Sequence, residues 1–372
     1  MRVPTAAFLL AGAAVAAKVI PGLNAPSHHV VEVIVSCALI CILFHGGMHI
    51  GWSRLRPAAA PIAIVGVLGT VVTVAGIALL ARFGLEVSWY AALLLATAVA
   101  PTDPAVVFAV LGKRIIPGRA STILEGESGA NDPVGIALMA SLISAGSLTG
   151  GAVGSVAGNF ALQMGVGLVL GVAGAGLLHL LLLHRLALPS AWLYAAATLV
   201  IAFGLFGVTV LAHGSGFLAV FVAGILIGDA DAPGKREVDR LQGVLASLAE
   251  IVAFVVLGLT VDLAEVAHLN VWLPGLLLGA ALAFVIRPAL VVPCLLPARL
   301  PRAERTFVLF CGLKGAVPLL LGTSLLTASV ANPGRLYGIV VVIVFFSVVV
   351  QGAMVPLLVQ RLWPAPSAEV GQ

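Results

Sequence analysis

Seven charged side chains interrupt long apolar stretches of this chain: Asp103, Glu125, Glu127, Asp132, Glu250, Arg287 and Lys314. A charge at the bilayer centre costs at least about 2.5 to 3.5 kcal/mol on insertion scales, so each needs a partner or a task. Three of them fall in Leu124-Glu125-Gly126-Glu127-Ser128-Gly129-Ala130-Asn131-Asp132-Pro133. At about 100° per residue, Glu127 and Asn131 share one helix face, while Ser128 and Asp132 share an adjacent one. A carboxylate held away from water is penalised in its charged form, so at Asp132 a proton competes with a small bound cation. Competition of two ions for one carboxylate is the chemistry of exchange. The alternative is a carboxylate locked in a salt bridge, but the obvious cation, Arg287, has a better-placed partner in Glu127.

A second pattern concerns the backbone. In Ala100-Pro101-Thr102-Asp103-Pro104 two prolines bracket a Thr-Asp pair inside an apolar run. Each removes a donor and obstructs the preceding turn, so the spacing predicts an interrupted helix around Thr102. Such a break is tolerated in a membrane only where it lines a cavity or is buried in protein. Cys311-Gly312-Leu313-Lys314-Gly315-Ala316-Val317-Pro318 has the same irregularity with a positive charge. Half-helix ends expose partial charges of both signs, which Asp103 and Lys314 neutralise if the two breaks cross. The plainer reading is a pair of kinked core helices.

These residues need long apolar elements to hold them, and the composition supplies them. The chain has 372 residues, 61% hydrophobic and 9% charged, against about 25% charged in a soluble domain. Apolar stretches of about 20 residues recur, each enough to cross a hydrocarbon core of roughly 30 Å. Breaks rich in Pro, Gly and charge divide the chain into about twelve spans. They cover about residues 4–20, 30–51, 58–81, 88–111, 120–145, 160–183, 190–212, 215–228, 241–261, 271–296, 305–328 and 336–359, and Asp229 to Arg240 reads as the longest charged loop. The first span is kept as a helix, because it lacks a basic start and Lys18 stands where a cleavage site belongs.

Alternate loops collect unequal numbers of basic residues. One side has Arg2, Arg54, Arg56, Lys113, Arg114, Arg119, Arg185, Lys235, Arg236, Arg240, Arg299, Arg302, Arg305 and Arg361, fourteen in all, against Lys18, Arg82 and Arg335, three, on the other. The positive-inside rule places both termini in the cytoplasm. The formal charge of +4 belongs to this topology; no basic run points to nucleic acid. Cys37, Cys41, Cys294 and Cys311 all lie in apolar segments, with neither disulfide nor zinc spacing.

Thr102-Asp103-Pro104, Gly126-Glu127-Ser128-Gly129-Ala130-Asn131-Asp132, Arg287-Pro288 and Gly312-Leu313-Lys314-Gly315-Ala316-Val317-Pro318 resemble, in order and spacing, motifs of the NhaP-type monovalent cation:proton antiporters. The resemblance covers essentially the whole chain, and the Glu-Ser-Gly-x-Asn-Asp-Pro form looks most like the bacterial potassium/proton branch. It implies an all-α polytopic membrane protein of about 12 helices, with inverted repeats and two crossed discontinuous helices in the NhaA/NhaP-like arrangement. It also implies an elevator-like core, a homodimer in the inner membrane, a role in pH homeostasis, and no cofactor beyond the transported Na+ or K+ and H+. One transport domain is expected, with a first repeat over about 1–145, a linker helix over about 160–183, a second repeat over about 190–360 and a tail over 361–372.

By the same resemblance Asp132 binds the transported ion, and Thr102, Asp103, Ser128 and Asn131 line its site. Glu127 and Arg287 match a buried ion pair, and Asn131 before Asp132 resembles the electroneutral branch. Three departures stand out. His45 occupies a place usually acidic, Lys314 stands where Arg is usual and lacks the guanidinium fork, and the chain looks one N-terminal helix short. If spans four and eleven are mates, spans one to five pair with eight to twelve, and span seven has none.

Other readings are weaker. Cys37, Cys41, His45 and His49 step by four along span two, a soft-ligand stripe that ordinary core packing also produces. His213-Gly214-Ser215-Gly216 suggests a nucleophilic serine but has no general base in its span. Asp103 and Asp132 lack the Gly-x-Gly-Asp pattern of an intramembrane aspartyl protease. A channel or sensor on the same helices is the remaining rival to an exchanger.

Overall fold

The computed structural model describes residues 5–20, 22–23, 25–111, 116–148, 151–183, 190–231, 235–296 and 299–364. Arg2, Lys113, Arg114 and Arg185, four of the residues that orient the chain, lie outside them, as does most of the tail. Among the described residues every regular element is helical. In chain order these are α1 (Thr5–Val19), α2 (His28–Leu55), α3 (Ala59–Ala63), α4 (Thr70–Gly84), α5 (Trp89–Val99), α6 (Pro104–Leu111), α7 (Ala120–Ala145), α8 (Ala152–Leu183) and α9 (Ala191–Leu211). They continue with α10 (Gly216–Gly228), α11 (Lys235–Leu259), α12 (Leu263–Val266), α13 (Leu269–Ala281), α14 (Arg287–Leu295), α15 (Arg302–Phe310), α16 (Ala316–Thr323), α17 (Pro333–Phe346) and α18 (Gly352–Leu362).

Among the described residues, spans three, four, ten, eleven and twelve are each made of two α-helices, so the eighteen helices, one of them the short connector α12, follow the twelve spans read from the sequence. Among the described residues, seven helical runs are long and apolar enough to cross a bilayer by themselves. Ser88 and Ser215 cap their helices, their Oγ atoms accepting from Ala91 N at 3.2 Å and Leu218 N at 3.3 Å.

Two boundaries correct the sequence reading. α11 starts at Lys235, inside the segment read as loop, because Lys235 pairs with Asp239 one turn on, Glu237 sits at the positive helix end and Val238 is buried. α8 starts at Ala152 rather than near 160; the glycines at 154 and 158 look like a break but do not stop a helix. Short π-helical turns also interrupt three spans, at Ile64–Gly69, Leu282–Ile286 and Ser347–Gln351. Pro288 offers no N–H to Phe284, and the wide turn just before Arg287 is the local response.

The helices form two groups. In one, α1, α2, α8, α9, α10 and α11 pack on each other; in the other, α3 to α7 pack with α13 to α18. α7 joins them, touching α8, α2 and α10.

The first group is drawn together by small residues. Gly47 and Gly51 on α2 meet Gly224 and Gly228 on α10, a small-xxx-small face on each helix. A Cβ at Gly224 would lie 2.5 Å from the Phe44 carbonyl oxygen, and one at Gly228 would lie 2.7 Å from the Gly51 Cα. Gly51 also has φ 65°, a left-handed kink in α2. Asp229 holds the chain beyond that kink, accepting from Ser53 N at 2.6 Å and Ser53 Oγ at 3.0 Å.

Gly224→Val should therefore force α2 and α10 apart and destabilise the protein by about 1 to 3 kcal/mol. Gly204→Val on α9, where nothing lies within 4 Å, should change little. Thermal unfolding of the two variants in detergent compares them, and equal melting points would contradict the close-packed interface.

Candidate ion-binding site

The two interrupted spans meet at their breaks. The backbone is non-helical from 100 to 103 between α5 and α6, and from 311 to 315 between α15 and α16. Asp103 N donates to Leu313 O at 2.7 Å, tying one break to the other. Lys314 is 3% exposed, and its Nζ donates to Ala100 O at 2.8 Å and Pro101 O at 2.9 Å. Its charge thus rests on carbonyls left open at the C-terminal end of α5. Asp103 Oδ1 accepts from Ala105 N at 2.8 Å and caps the start of α6. Gly315 lies directly against the Asp103 carboxylate, where any side chain would collide.

Ser347 and Gln351 support the crossing from the π turn after α17. Lys314 N donates to Ser347 Oγ at 3.0 Å, Ser347 Oγ donates to Gln351 Oε1 at 2.9 Å, and Gln351 Nε2 donates to Phe310 O at 2.9 Å. The sequence reading passed over both residues. Their i, i+4 spacing in an otherwise apolar span is the signal that marks them.

α7 crosses behind the first break and grips it with two residues. Thr102 N donates to Asn131 Oδ1 at 3.2 Å, and Asn131 Nδ2 donates to Thr102 Oγ1 at 2.8 Å. Ser128 Oγ donates to Thr102 O in a short hydrogen bond. The Asn131 amide and the Thr102 hydroxyl are thereby engaged with each other, behind the wall of the neighbouring cavity. On the same face as Asn131, Glu127 meets Arg287 in a two-pronged pair, Nη1 to Oε1 at 2.8 Å and Nη2 to Oε2 at 3.0 Å. Both are buried, at 2% and 6% exposed. Arg287 also donates from Nε to Leu309 O at 3.0 Å and from Nη2 to Val308 O at 3.1 Å, covering the C-terminal end of α15.

Asp132 stands apart from these networks. It is 7% exposed, and its Oδ1 has no hydrogen-bond partner. With Ser128 and Asp103 it lines a cavity of about 420 Å³ between the two helix groups; His45, His49 and Glu250 line the facing walls. The structure thus brings Asp132, Ser128 and Asp103 to one cavity, sets Thr102 and Asn131 behind it, and gathers Glu127 and Arg287 into a separate buried pair. Near the cavity's His49 side, Glu125 Oε2 lies 3.3 Å from His49 Nδ1 and 3.7 Å from Arg54 Nη2. Arg54 also donates to Thr122 Oγ1 at 3.2 Å. Of the Cys/His stripe, Cys41 is buried, Cys37 is exposed and His49 turns to Glu125.

Crossed interrupted helices joined by buried charges, in a bundle of twelve spans, define a class of polytopic membrane proteins whose polar centre lies within the bilayer. Residues 1–361 match the family model described as sodium/hydrogen exchanger, transmembrane, and the chain belongs to that family. It is 34% identical over 347 residues to the K(+)/H(+) antiporter NhaP of Alkalimonas amylolytica, covering 93% of this chain and 60% of the relative. It is 29% identical over 322 residues to the K(+)/H(+) antiporter NhaP2 of Shewanella sp. (strain MR-4), covering 85% and 55%. The chain therefore spans little more than half the length of these two relatives. Its fold resembles that of the sodium proton antiporter MjNhaP1 from Methanocaldococcus jannaschii at pH 8, with a TM-score of 0.79 at 21% identity, over 97% of this chain and 92% of the other.

The geometry around Arg287 predicts an asymmetric mutational response. Arg287→Ala leaves Glu127 and two carbonyls without donors and should cost about 3 to 5 kcal/mol, read as a lower melting temperature in detergent. Glu127→Leu combined with Arg287→Leu removes both charges and should regain part of that loss, the Val308 and Leu309 carbonyls staying open. Strictly additive losses would contradict the pairing.

Proposed function

We propose that the protein is a secondary transporter that exchanges a monovalent cation, Na+ or K+, for H+ across the membrane, with Asp132 as the carboxylate both ions share. One observation carries this reading. Asp132 is buried and bare, at the edge of a cavity, where the two intramembrane cations are already committed to other groups. A carboxylate so placed must take a proton or an external cation to be neutral. Ser128 and Asp103 supply further oxygens on the same wall. Pro133 has no N–H for the carbonyl of Gly129, a residue that also lines the cavity, and so removes that oxygen's ordinary helical donor. Thr102 and Asn131 frame the site by fixing the break.

Relatives named as K(+)/H(+) antiporters support potassium as cargo. Oxygen donors of this kind suit sodium as well, and cavity size decides between them. We further propose a homodimer in the inner membrane with cytoplasmic termini. The repeats, at about 1–145 and about 190–360 with a linker helix at about 160–183, each contribute one interrupted span. The group carrying Asp132 moves against the group of α1, α2 and α8 to α11.

Exchange should be electroneutral. If Asp132 carries either one cation or one proton and Asn131 cannot titrate, each half-cycle moves the same net charge at the site. A membrane potential, worth about 2.3 kcal/mol per charge per 100 mV, then has no net movement to act on. Glu127, held by Arg287, stays out of the cycle. In proteoliposomes with a fixed pH difference, the equilibrium cation gradient should be the same at zero and at large clamped voltage. A voltage-dependent endpoint would require a stoichiometry other than one for one.

Asp132→Asn should insert and fold yet show no cation-dependent proton flux. Near-normal exchange by that variant would overturn the assignment, and cation current without proton movement in the unaltered protein would make it a channel.

A further inference from the structure

The cavity beside Asp132 also has a carboxylate on its opposite wall. Glu250 belongs to α11, in the helix group that does not contain the crossing, and it lines the same space as Asp132, Asp103 and Ser128. An acidic side chain in a membrane helix is expensive and calls for a partner or a task. Among the described residues no basic side chain forms an ion pair with Glu250; the pairs nearby are His49 with Glu125, Arg54 with Glu125, and Lys235 with Asp239. No ion pair therefore holds its side chain to the wall, and it shares the cavity with Asp103 and Asp132. One turn earlier on the same face, Ser247 also lines the cavity. The Ser247 hydroxyl donates to Gly243 O at 3.0 Å, which leaves its lone pairs free.

We infer that Glu250, assisted by Ser247, collects the cation within the cavity and passes it to Asp132, and so sets the cation KM. This rests on the exchange function proposed above. A low-dielectric cleft with unbalanced negative charge focuses its field and raises the local cation concentration. Because Glu250 sits on the wall facing the crossing, it does not travel with Asp132 and cannot remain a ligand through the cycle. Its part is in loading and release.

The test is cation-driven proton flux in proteoliposomes, for wild type, Glu250→Gln, Glu250→Asp and Asp132→Asn, with K+ and with Na+. Glu250→Gln should raise the cation KM roughly tenfold, the lower end for a charge-lined cleft, with kcat held within about a factor of two. Glu250→Asp should restore most of the affinity. The gap between wild type and Glu250→Gln should narrow when ionic strength is raised with an impermeant salt. An unchanged KM in Glu250→Gln, a loss of kcat at constant KM, or no recovery in Glu250→Asp would overturn the inference. Asp132→Asn separates the two claims. If it is silent while Glu250→Gln behaves as wild type, only the role of Glu250 fails; if it still exchanges, the function assigned to Asp132 fails.

Discussion

Everything at the centre of this protein depends on how the open ends of two interrupted helices are satisfied where no water is available. A break in a membrane helix exposes carbonyls on one side and N–H groups on the other. Here Lys314 reaches across to the carbonyls of Ala100 and Pro101, Asp103 caps α6, and the Asp103 N–H binds the Leu313 carbonyl. Each break thus completes the other. Removing the charge of Lys314 would free the end of α5 and loosen the backbone to which Asn131 and Ser128 are bonded.

The same economy of cations explains why Asp132 is bare. Arg287 is committed to Glu127 and to the end of α15, and Lys314 to the end of α5. Neither forms a salt bridge to Asp132, whose Oδ1 accepts nothing. A structural carboxylate would have captured one of them. What remains is a carboxylate without a salt bridge, beside neighbours that are hydrogen-bonded to the break. The close glycine contacts of α2 and α10 give the facing wall a firm frame.

Much of this was legible in the chain because the signals are strong and local. Prolines at 101 and 104 beside Asp103, and glycines around Lys314, mark breaks that few other arrangements tolerate in apolar runs. Glu127 and Arg287 stand out as unlike charges in separate apolar spans, and the geometry pairs them. Features that depend on small changes of helical period were not legible. The π turns before Arg287 and around Ser347 add one residue to a turn without altering composition. The first turns of α11, charged and amphipathic, read as loop, and the glycine-rich start of α8 read as a break. The contact of Glu125 with His49 and Arg54 joins positions 76 and 71 residues apart, which no periodicity within one span reveals.

The central claim is that cation and proton exclude each other at one carboxylate, and binding at equilibrium tests it without any transport step. Cation affinity of the purified protein in detergent would be measured by calorimetry across a pH series, in buffers of differing ionisation enthalpy so that released protons are counted. Competition at Asp132 predicts an apparent Kd that rises about tenfold for each pH unit lowered on the acid side, with about one proton released per cation bound there. An affinity independent of pH, with no proton released, would show that the two ions bind at different groups and would contradict the account.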